Sequence, residues 1–179
     1  GIMAAYSDGV EYNIIQGTSM SSPHVAGAGA LLMALHPDWT AAEVQSALMS
    51  TSVTTVVDND GATQADPFAM GAGRVDLAQA GLAGLLFDET TAAFEAADPA
   101  DGGDPSSLNL PSMGQDQCVG TCSWTRTVEN AMAVAGNWTA STTAEAGMGL
   151  SVSPSSFSLD PGETQEIVIT ADVTGSPEG

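Results

Sequence analysis

A serine at the entrance to an apolar helix is the most reactive arrangement in the sequence. Gly17-Thr18-Ser19 precedes residues 22–35, which are apolar at almost every position. The N-terminus of a helix offers free backbone N–H groups and the positive end of the helix dipole. A serine placed there can act as a nucleophile whose own N–H stabilises the oxyanion that forms. The ordinary alternative is a serine that only caps the helix.

The complete string from Gly17 to Gly27, GTSMSSPHVAG, favours the nucleophile. It resembles the segment around the catalytic serine of subtilisin-like serine proteases, GTSMAxPHVAG in many members, with Ser21 in place of the commoner alanine. Residues 68–76 resemble the segment that closes the catalytic domain of the same family. The resemblance implies that Ser19 is the nucleophile, and that the other motif residues are structural: Gly17, Thr18, Met20, Pro23, His24 and Gly27. The Gly-x-Ser-x-Gly elbow of α/β-hydrolases does not fit, because its fifth position is Ser21.

The residues that would activate Ser19 are not found beside it. Subtilases carry the triad aspartate and histidine, and an oxyanion-hole asparagine, upstream of the serine, and only 18 residues precede Ser19. Asp8 and Glu11 are too close in sequence to be that aspartate. His24 lies five residues along the helix, about 140° around and ~7.5 Å further on, and His36 lies near the helix end. The resemblance therefore implies a triad completed by upstream sequence of the same catalytic domain, and an inactive isolated chain.

Cys118 and Cys122 are the only cysteines. A turn through Gly120 can bring their Cα atoms within the ~4.4–6.8 Å that a disulfide requires. An oxidising compartment favours the disulfide over two free thiols. Neither cysteine lies near a histidine in sequence, so a zinc site lacks ligands.

The sequence of residues 58–61, Asp-Asn-Asp-Gly, offers oxygen ligands of the kind that calcium prefers. The downstream glutamate of an EF-hand loop is replaced by Ala69, so an Asx turn is favoured. We expect no cofactor, with calcium left open for a full-length protein.

The charge balance excludes several classes of partner. The chain has 22 acidic and 2 basic residues, a net charge of -20 and a pI near 4.1. It cannot build the cationic surface that nucleic acids or anionic membranes require. Its longest apolar run, Val25–Leu35, is shorter than the ~18 residues of a membrane span. Such acidity fits salty or extracellular media about as well as it fits a generic acidic surface. The resemblance to subtilisin-like proteases implies a secreted, extracellular protein that acts on protein or peptide substrates.

The first part of the chain is predicted to be α/β. A short strand over Tyr12–Ile15 leads to the apolar helix, with Pro23 at its start, and a helix with no polar face is expected at the centre of a domain. Thr40 and Glu43 form a capping box for a second helix. Two further elements are expected, a strand over Val53–Val57 and a short helix over Asp76–Leu82.

The composition changes near residue 87. Turn formers and acids over 98–107 indicate a linker, placed at residues 87–107, and period-two alternation afterwards predicts an antiparallel β-sandwich. Residues 107–112 and Arg126–Asn130 resemble the fibronectin type III-like domain of large subtilases. The sequence thus predicts the C-terminal part of a subtilisin-like parallel-sheet domain over 1–86, and a truncated sandwich over 108–179. The alternative function is an inactive pseudoprotease or a binding module acting through the sandwich.

Overall fold

The structure, a computed structural model, describes residues 1–6, 9, 11–115 and 117–176. Asp8, considered above as a triad candidate, lies outside the described residues. The chain forms two compact units, Gly1–Trp39 and Thr40–Gly179.

The first unit is a β-hairpin followed by a long helix. Strands β1 (Ile2–Ala5) and β2 (Tyr12–Ile15) pair antiparallel, with Ile2 opposite Ile15. Helix α1 (Thr18–Leu35) follows, and the predicted strand and apolar helix are both confirmed. The helix ends where the backbone N–H of His36 donates to Leu32 O at 2.7 Å.

Helix α1 is apolar on all sides, yet within the described residues only Ala28 and Leu32 of this helix are buried. Four large side chains are 45% to 62% exposed, Val25, Leu31, Met33 and Leu35. We expected this helix to be buried at the centre of a domain, but its own unit does not bury it. Two four-residue strands cannot surround an 18-residue helix. None of the described helices combines the length and apolarity needed to cross a membrane.

The second unit opens with helix α2 (Ala41–Ser50), and its predicted capping box is confirmed. Thr40 Oγ1 accepts from the N–H of Glu43 at 3.1 Å, and the Glu43 carboxylate accepts from the N–H of Thr40 at 2.6 Å. The helix buries one stripe, in which Val44, Ala47 and Leu48 are at most 9% exposed. Local capping and an apolar face therefore agree in this helix.

Two short helices follow, α3 (Pro67–Met70) and α4 (Leu77–Ala80), the latter within the predicted Asp76–Leu82 helix. The predicted strand over Val53–Val57 is wrong. Val53 bridges Arg74 and Val57 bridges Gln64, so the two ends of this run pair with different loops and no ladder can form. Asp60 forms the expected Asx turn, accepting from the N–H groups of Ala62 and Thr63, and hydrogen bonds led by the Thr63 hydroxyl lower its pKa to about 2.

Residues 87–107, predicted as a linker, contain helix α5 (Thr91–Ala96) and 3-10 turns at Pro99–Asp101 and Pro105–Ser107. Three polar residues of this segment are N-caps, since Thr90, Asp98 and Asp104 each accept from a backbone N–H of the helix or turn that follows. The acids therefore shape the segment locally.

The remaining strands form the predicted antiparallel sandwich. They are β3 (Leu85–Leu86), β4 (Thr121–Asn130), β5 (Gly136–Thr139), β6 (Gly149–Ser153), β7 (Ser156–Leu159) and β8 (Thr164–Asp172). One sheet has the order β3-β4-β8-β6 and the other pairs β5 with β7. Alternate side chains of these strands point inwards, and Val128, Leu159, Ile169 and Ala171 are at most 6% exposed.

The predicted disulfide between Cys118 and Cys122 is confirmed, with 5.8 Å between the two Cα atoms. It closes a short loop that begins before β4 and ends at Cys122, the second residue of this strand. Gly120 within this loop has φ 76°, and its carbonyl accepts from the N–H of Val173. The crosslinked turn thereby continues the contact between the start of β4 and the end of β8.

Candidate active site

Gly17 turns the chain from β2 into α1. Its φ of 145° lies in the region that glycine tolerates and other residues avoid, although a Cβ at this position would meet no atom within 4 Å. Its carbonyl accepts from the N–H groups of Met20 and Ser21, at 3.0 and 3.3 Å. The backbone conformation, and not a lack of space, therefore requires glycine immediately before the helix.

Ser19 is the second residue of α1, and its side chain is exposed. Among the described residues, neither its hydroxyl nor its backbone N–H takes part in a hydrogen bond. The helix has no side-chain N-cap, since Gly17 occupies that position. Ser19 is thus not the capping residue of the ordinary alternative, and its N–H has no intrahelical acceptor, so it is available to an oxyanion.

Pro23 lies inside the helix, which corrects its expected place at the helix start. The run of apolar residues suggested a beginning at residue 22, but the Gly17 turn starts the helix four residues earlier, at Thr18. In a regular helix the N–H of residue 23 would donate to the carbonyl of Ser19, and proline has no N–H. Pro23 therefore leaves the Ser19 carbonyl without its usual helical donor.

Both histidines of this unit are engaged elsewhere. His24 Nδ1 donates to Met20 O at 2.5 Å, so its ring is tied to the backbone of the preceding turn. His36 stacks on Trp39, with ring centroids 3.8 Å apart. His36 is also 17 residues from Ser19, roughly 25 Å along a helix. The structure brings neither imidazole to the Ser19 hydroxyl as a hydrogen-bond partner.

The other predicted site residues take modest places. Thr18 is the first residue of α1, Met20 is half-buried, and Gly27 is exposed with open space where a Cβ would stand. The Cys118–Cys122 disulfide belongs to the other compact unit. Across the part of the chain that the structure describes, no three His, Cys, Asp or Glu side chains are grouped to hold a metal ion.

The comparison with protein families rests on both parts of the chain. Residues 4–73 match the model of the subtilase family, and this segment includes Ser19 and the whole of α1. The chain belongs to the subtilase family. Residues 107–179 of this subtilase match a fibronectin type-III domain, which agrees with the antiparallel sandwich.

Several relatives of this subtilase come from Arabidopsis thaliana. Subtilisin-like protease SBT2.5 is 32% identical over 92% of the chain and 24% of its own length. Subtilisin-like protease SBT1.7 is 34% identical over 99% of the chain and 27% of its own length, and subtilisin-like protease SBT5.6 is 46% identical over 46% of the chain and 11% of its own length. The chain spans about a quarter of the length of the first two.

Sequence reasoning missed residues that organise the second unit. Arg126 is 3% exposed and donates to four backbone carbonyls, and Asn130 is 1% exposed and donates to two. Ser46 on α2, also 1% exposed, accepts from the N–H of Phe87 at 2.9 Å. The signal available was a polar residue at an inward position of an apolar alternation, which indicates a buried group with fixed partners.

Proposed function

We propose that this chain is part of a secreted subtilisin-like serine endopeptidase that hydrolyses peptide bonds in protein or peptide substrates. The supporting observation is the placement of Ser19, exposed at the second position of α1 with its N–H unengaged, inside the segment that matches the subtilase family. The chemistry of such a serine needs no cofactor, and we propose none.

In the proposed reaction, Ser19 Oγ attacks the carbonyl carbon of the scissile peptide while a histidine takes the hydroxyl proton. The carbonyl oxygen, which becomes negatively charged, accepts a hydrogen bond from the N–H of Ser19, and the helix dipole stabilises its charge. The histidine returns its proton to the leaving amine, and water then releases the acyl group from Ser19.

The base for this reaction is proposed to lie upstream, together with the triad aspartate and the asparagine of the oxyanion hole. This part of the proposal is supported by the hydrogen bond of His24 to Met20, the distance of His36 along the helix, and relatives that are about four times longer than the chain. Without a base, the serine hydroxyl is a weak nucleophile, so the isolated chain is expected to be inactive.

The deciding experiment is labelling of the full-length protein with a fluorophosphonate, which reacts with activated serines. We expect one labelled site, mapped to Ser19 by peptide mass spectrometry, and loss of both label and caseinolytic activity in Ser19→Ala. Ser22→Ala, three residues along the same helix, is the matched control and should keep the label. A folded full-length protein that takes no label would instead support a pseudoprotease or a binding module acting through the sandwich.

The isolated chain provides the complementary measurement. Purified free of host proteases, it should leave casein and peptide anilides intact, because the base and the side-chain oxyanion donor are both absent. Together these losses correspond to several kcal/mol of transition-state stabilisation, roughly 10³-fold or more in rate. Turnover by the isolated chain that disappears in Ser19→Ala would contradict the upstream assignment of the base.

A further inference from the structure

Strand β4 has one side paired along almost its whole length and one side that is not. Nine of its ten residues pair with β8, from Thr121 opposite Asp172 to Glu129 opposite Thr164. On the other side, β3 covers only Glu129 and Asn130. In an antiparallel ladder every second residue turns its N–H and C=O away from the partner, which places Ser123, Thr125 and Thr127 on this second edge.

A segment that we call the strap, residues Ser106–Gly114, runs beside this edge. Among the described residues, no backbone–backbone hydrogen bond joins the strap to β4. The hydrogen bonds between the strap and β4 all use a side chain, from Asn109 of the strap or from Arg126 and Trp124 of β4. The strap therefore occupies the edge without being a strand of the sheet.

Arg126 is the largest of three fastenings, and the weakest is the Trp124 indole, which donates to Gly114 O at 3.4 Å. Its guanidinium donates to the carbonyls of Ser106, Leu110 and Ser112 in the strap, at 3.3, 2.9 and 3.4 Å, and to Thr125 O at 2.8 Å. The side chain is 3% exposed, and burial lowers its pKa while the nearby charge of Glu89 opposes that shift. An arginine has five donors in a rigid fork and can satisfy these four carbonyls at once, whereas a lysine has only three donors.

Asn109 is the second fastening, and it imitates a paired strand. Its Oδ1 accepts from the N–H of Thr127 at 2.8 Å, and its Nδ2 donates to Thr127 O at 2.9 Å and to Asp88 O at 3.0 Å. The backbone N–H of Asn109 donates to the carboxylate of Glu89 at 2.7 Å. One amide side chain thereby satisfies both edge groups of Thr127.

We propose that the strap is a releasable cover, fastened by Arg126 and Asn109, that keeps the edge of β4 from pairing with the β4 edge of a second copy of this chain. A strand edge with unpaired N–H and C=O groups is a template for another strand. Within the described residues the strap shares no backbone hydrogen bond with β4, so its release leaves every ladder of the sheet intact. Release also exposes Leu108, which is 8% exposed while the strap is in place.

The charge of β4 itself permits a second copy of this chain to bind at the uncovered edge. Between Thr121 and Val128 the strand contains no acidic residue, in a chain whose net charge is -20. Two such edges can therefore meet antiparallel without opposing carboxylates across the centre of the pair. The outward positions are Ser and Thr, and Thr favours strands.

The test uses the whole chain with Arg126→Met and Asn109→Ala, and the matched controls Arg74→Met and Asn137→Ala at exposed positions. Hydrogen exchange followed by NMR reports the opening of the strap and of the Thr127 amide. Sedimentation velocity over about 5 to 200 µM protein in ~0.5 M NaCl reports self-association, with salt screening the acidic surface.

We expect the Thr127 amide of Asn109→Ala, and the strap amides of Arg126→Met, to exchange about tenfold faster or more than in the controls. Both variants should form dimers as concentration rises, and the controls should stay monomeric. If Arg126→Met does not fold, Asn109→Ala alone carries the test. Exchange equal to that of the controls would refute the fastening, and fast exchange in a chain that stays monomeric at 200 µM would refute the second copy as occupant.

Discussion

Helices α1 and α2 differ in almost every feature that stabilises a helix. Helix α2 has a complete capping box and a single buried stripe, whereas α1 begins at a glycine with no side-chain cap and is apolar on all faces. Most large side chains of α1 are exposed within its own unit, while Val44, Ala47 and Leu48 of α2 are buried. One helix is stabilised by its local sequence, and the other depends on surfaces around it.

The missing side-chain cap of α1 suits the chemistry proposed for Ser19. A Ser, Thr or Asp cap would engage the first N–H groups of the helix, which are the groups proposed to stabilise an oxyanion beside Ser19. Glycine starts the helix and leaves those groups available. The comparison teaches that the helix carrying Ser19 forgoes local stabilisation at the end where chemistry is proposed.

The largest effect that would sharpen this comparison is expected for Gly17→Ala in the full-length protein. A Cβ at φ 145° strains the turn and moves the start of α1, so kcat/KM on a peptide anilide should fall roughly 10- to 100-fold. Gly27→Ala, in the middle of the same helix with open space around it, is the control and should retain activity. Equal activities for the two variants would show that the Gly17 turn does not position Ser19.

For α2, removal of the cap is the corresponding change. Thr40→Ala loses the acceptor for Glu43 N–H and the donor to Asp88 Oδ1, which lies 2.7 Å away. We expect a loss of about 1–2 kcal/mol and a Tm lower by roughly 2–6 °C, measured by circular dichroism. Thr54→Ala, at an exposed position in a loop, should leave the Tm unchanged, and a similar drop in both variants would contradict the role of the cap.

Added salt should affect the stability of the two units differently. Three of the 22 acidic residues lie in Gly1–Trp39, which leaves 19 in Thr40–Gly179 together with both arginines. Self-repulsion is therefore concentrated in the second unit, and the Tm of its β-sheet signal should rise by a few degrees between ~10 mM and ~0.5 M NaCl. A flat response would mean that the acids are spread too widely to repel one another.

The smallest effect is expected for Glu129→Gln. Burial, followed by the negative charges of Glu43 and Asp88, raises the pKa of Glu129 in the folded state. Glu129 therefore makes its full contribution to the free energy of unfolding at pH values below its unfolded-state pKa. That contribution is lost as the pH rises through its higher folded-state pKa. The variant should melt roughly 1–3 °C higher than the parent at pH 7 and equally below about pH 4.

The control for this titration is Glu166→Gln, an exposed residue on the neighbouring strand β8. It should leave the pH profile of the Tm parallel to that of the parent chain. A stabilisation by Glu129→Gln that persists at pH 3 would show that the effect comes from packing and not from charge.

Elements whose local sequence and packing agree could be predicted from the sequence. The alternation in β4 and β8 and the capping box of α2 carry their own structural signal. The start of α1 could not be read in the same way, because the turn at Gly17 depends on a backbone conformation that the apolar run does not reveal. Ser19 was indicated by its motif, while its free N–H required the structure.

The failures have a common cause in partners that are distant in sequence. Val53–Val57 has the composition of a strand, but each end meets a different loop. Arg126 sits in a predicted strand, and nothing in its neighbourhood of the sequence indicates that carbonyls 14 to 20 residues earlier surround it. Composition and periodicity describe what an element can bury, and they do not say which loop it meets.

Strand β3 bears on how such proteins can be rearranged by recombination. Leu85–Leu86 lie between the two segments that match known families, yet they form an edge strand of the sandwich sheet, and Phe87 is bonded to buried Ser46 of α2. A gene fusion that joins residues from 107 onward to another protein would leave this strand behind. A transferable sandwich therefore has to include residues from before 85. A recombination at residue 107, where the fibronectin match begins, would have to replace β3 with another edge strand.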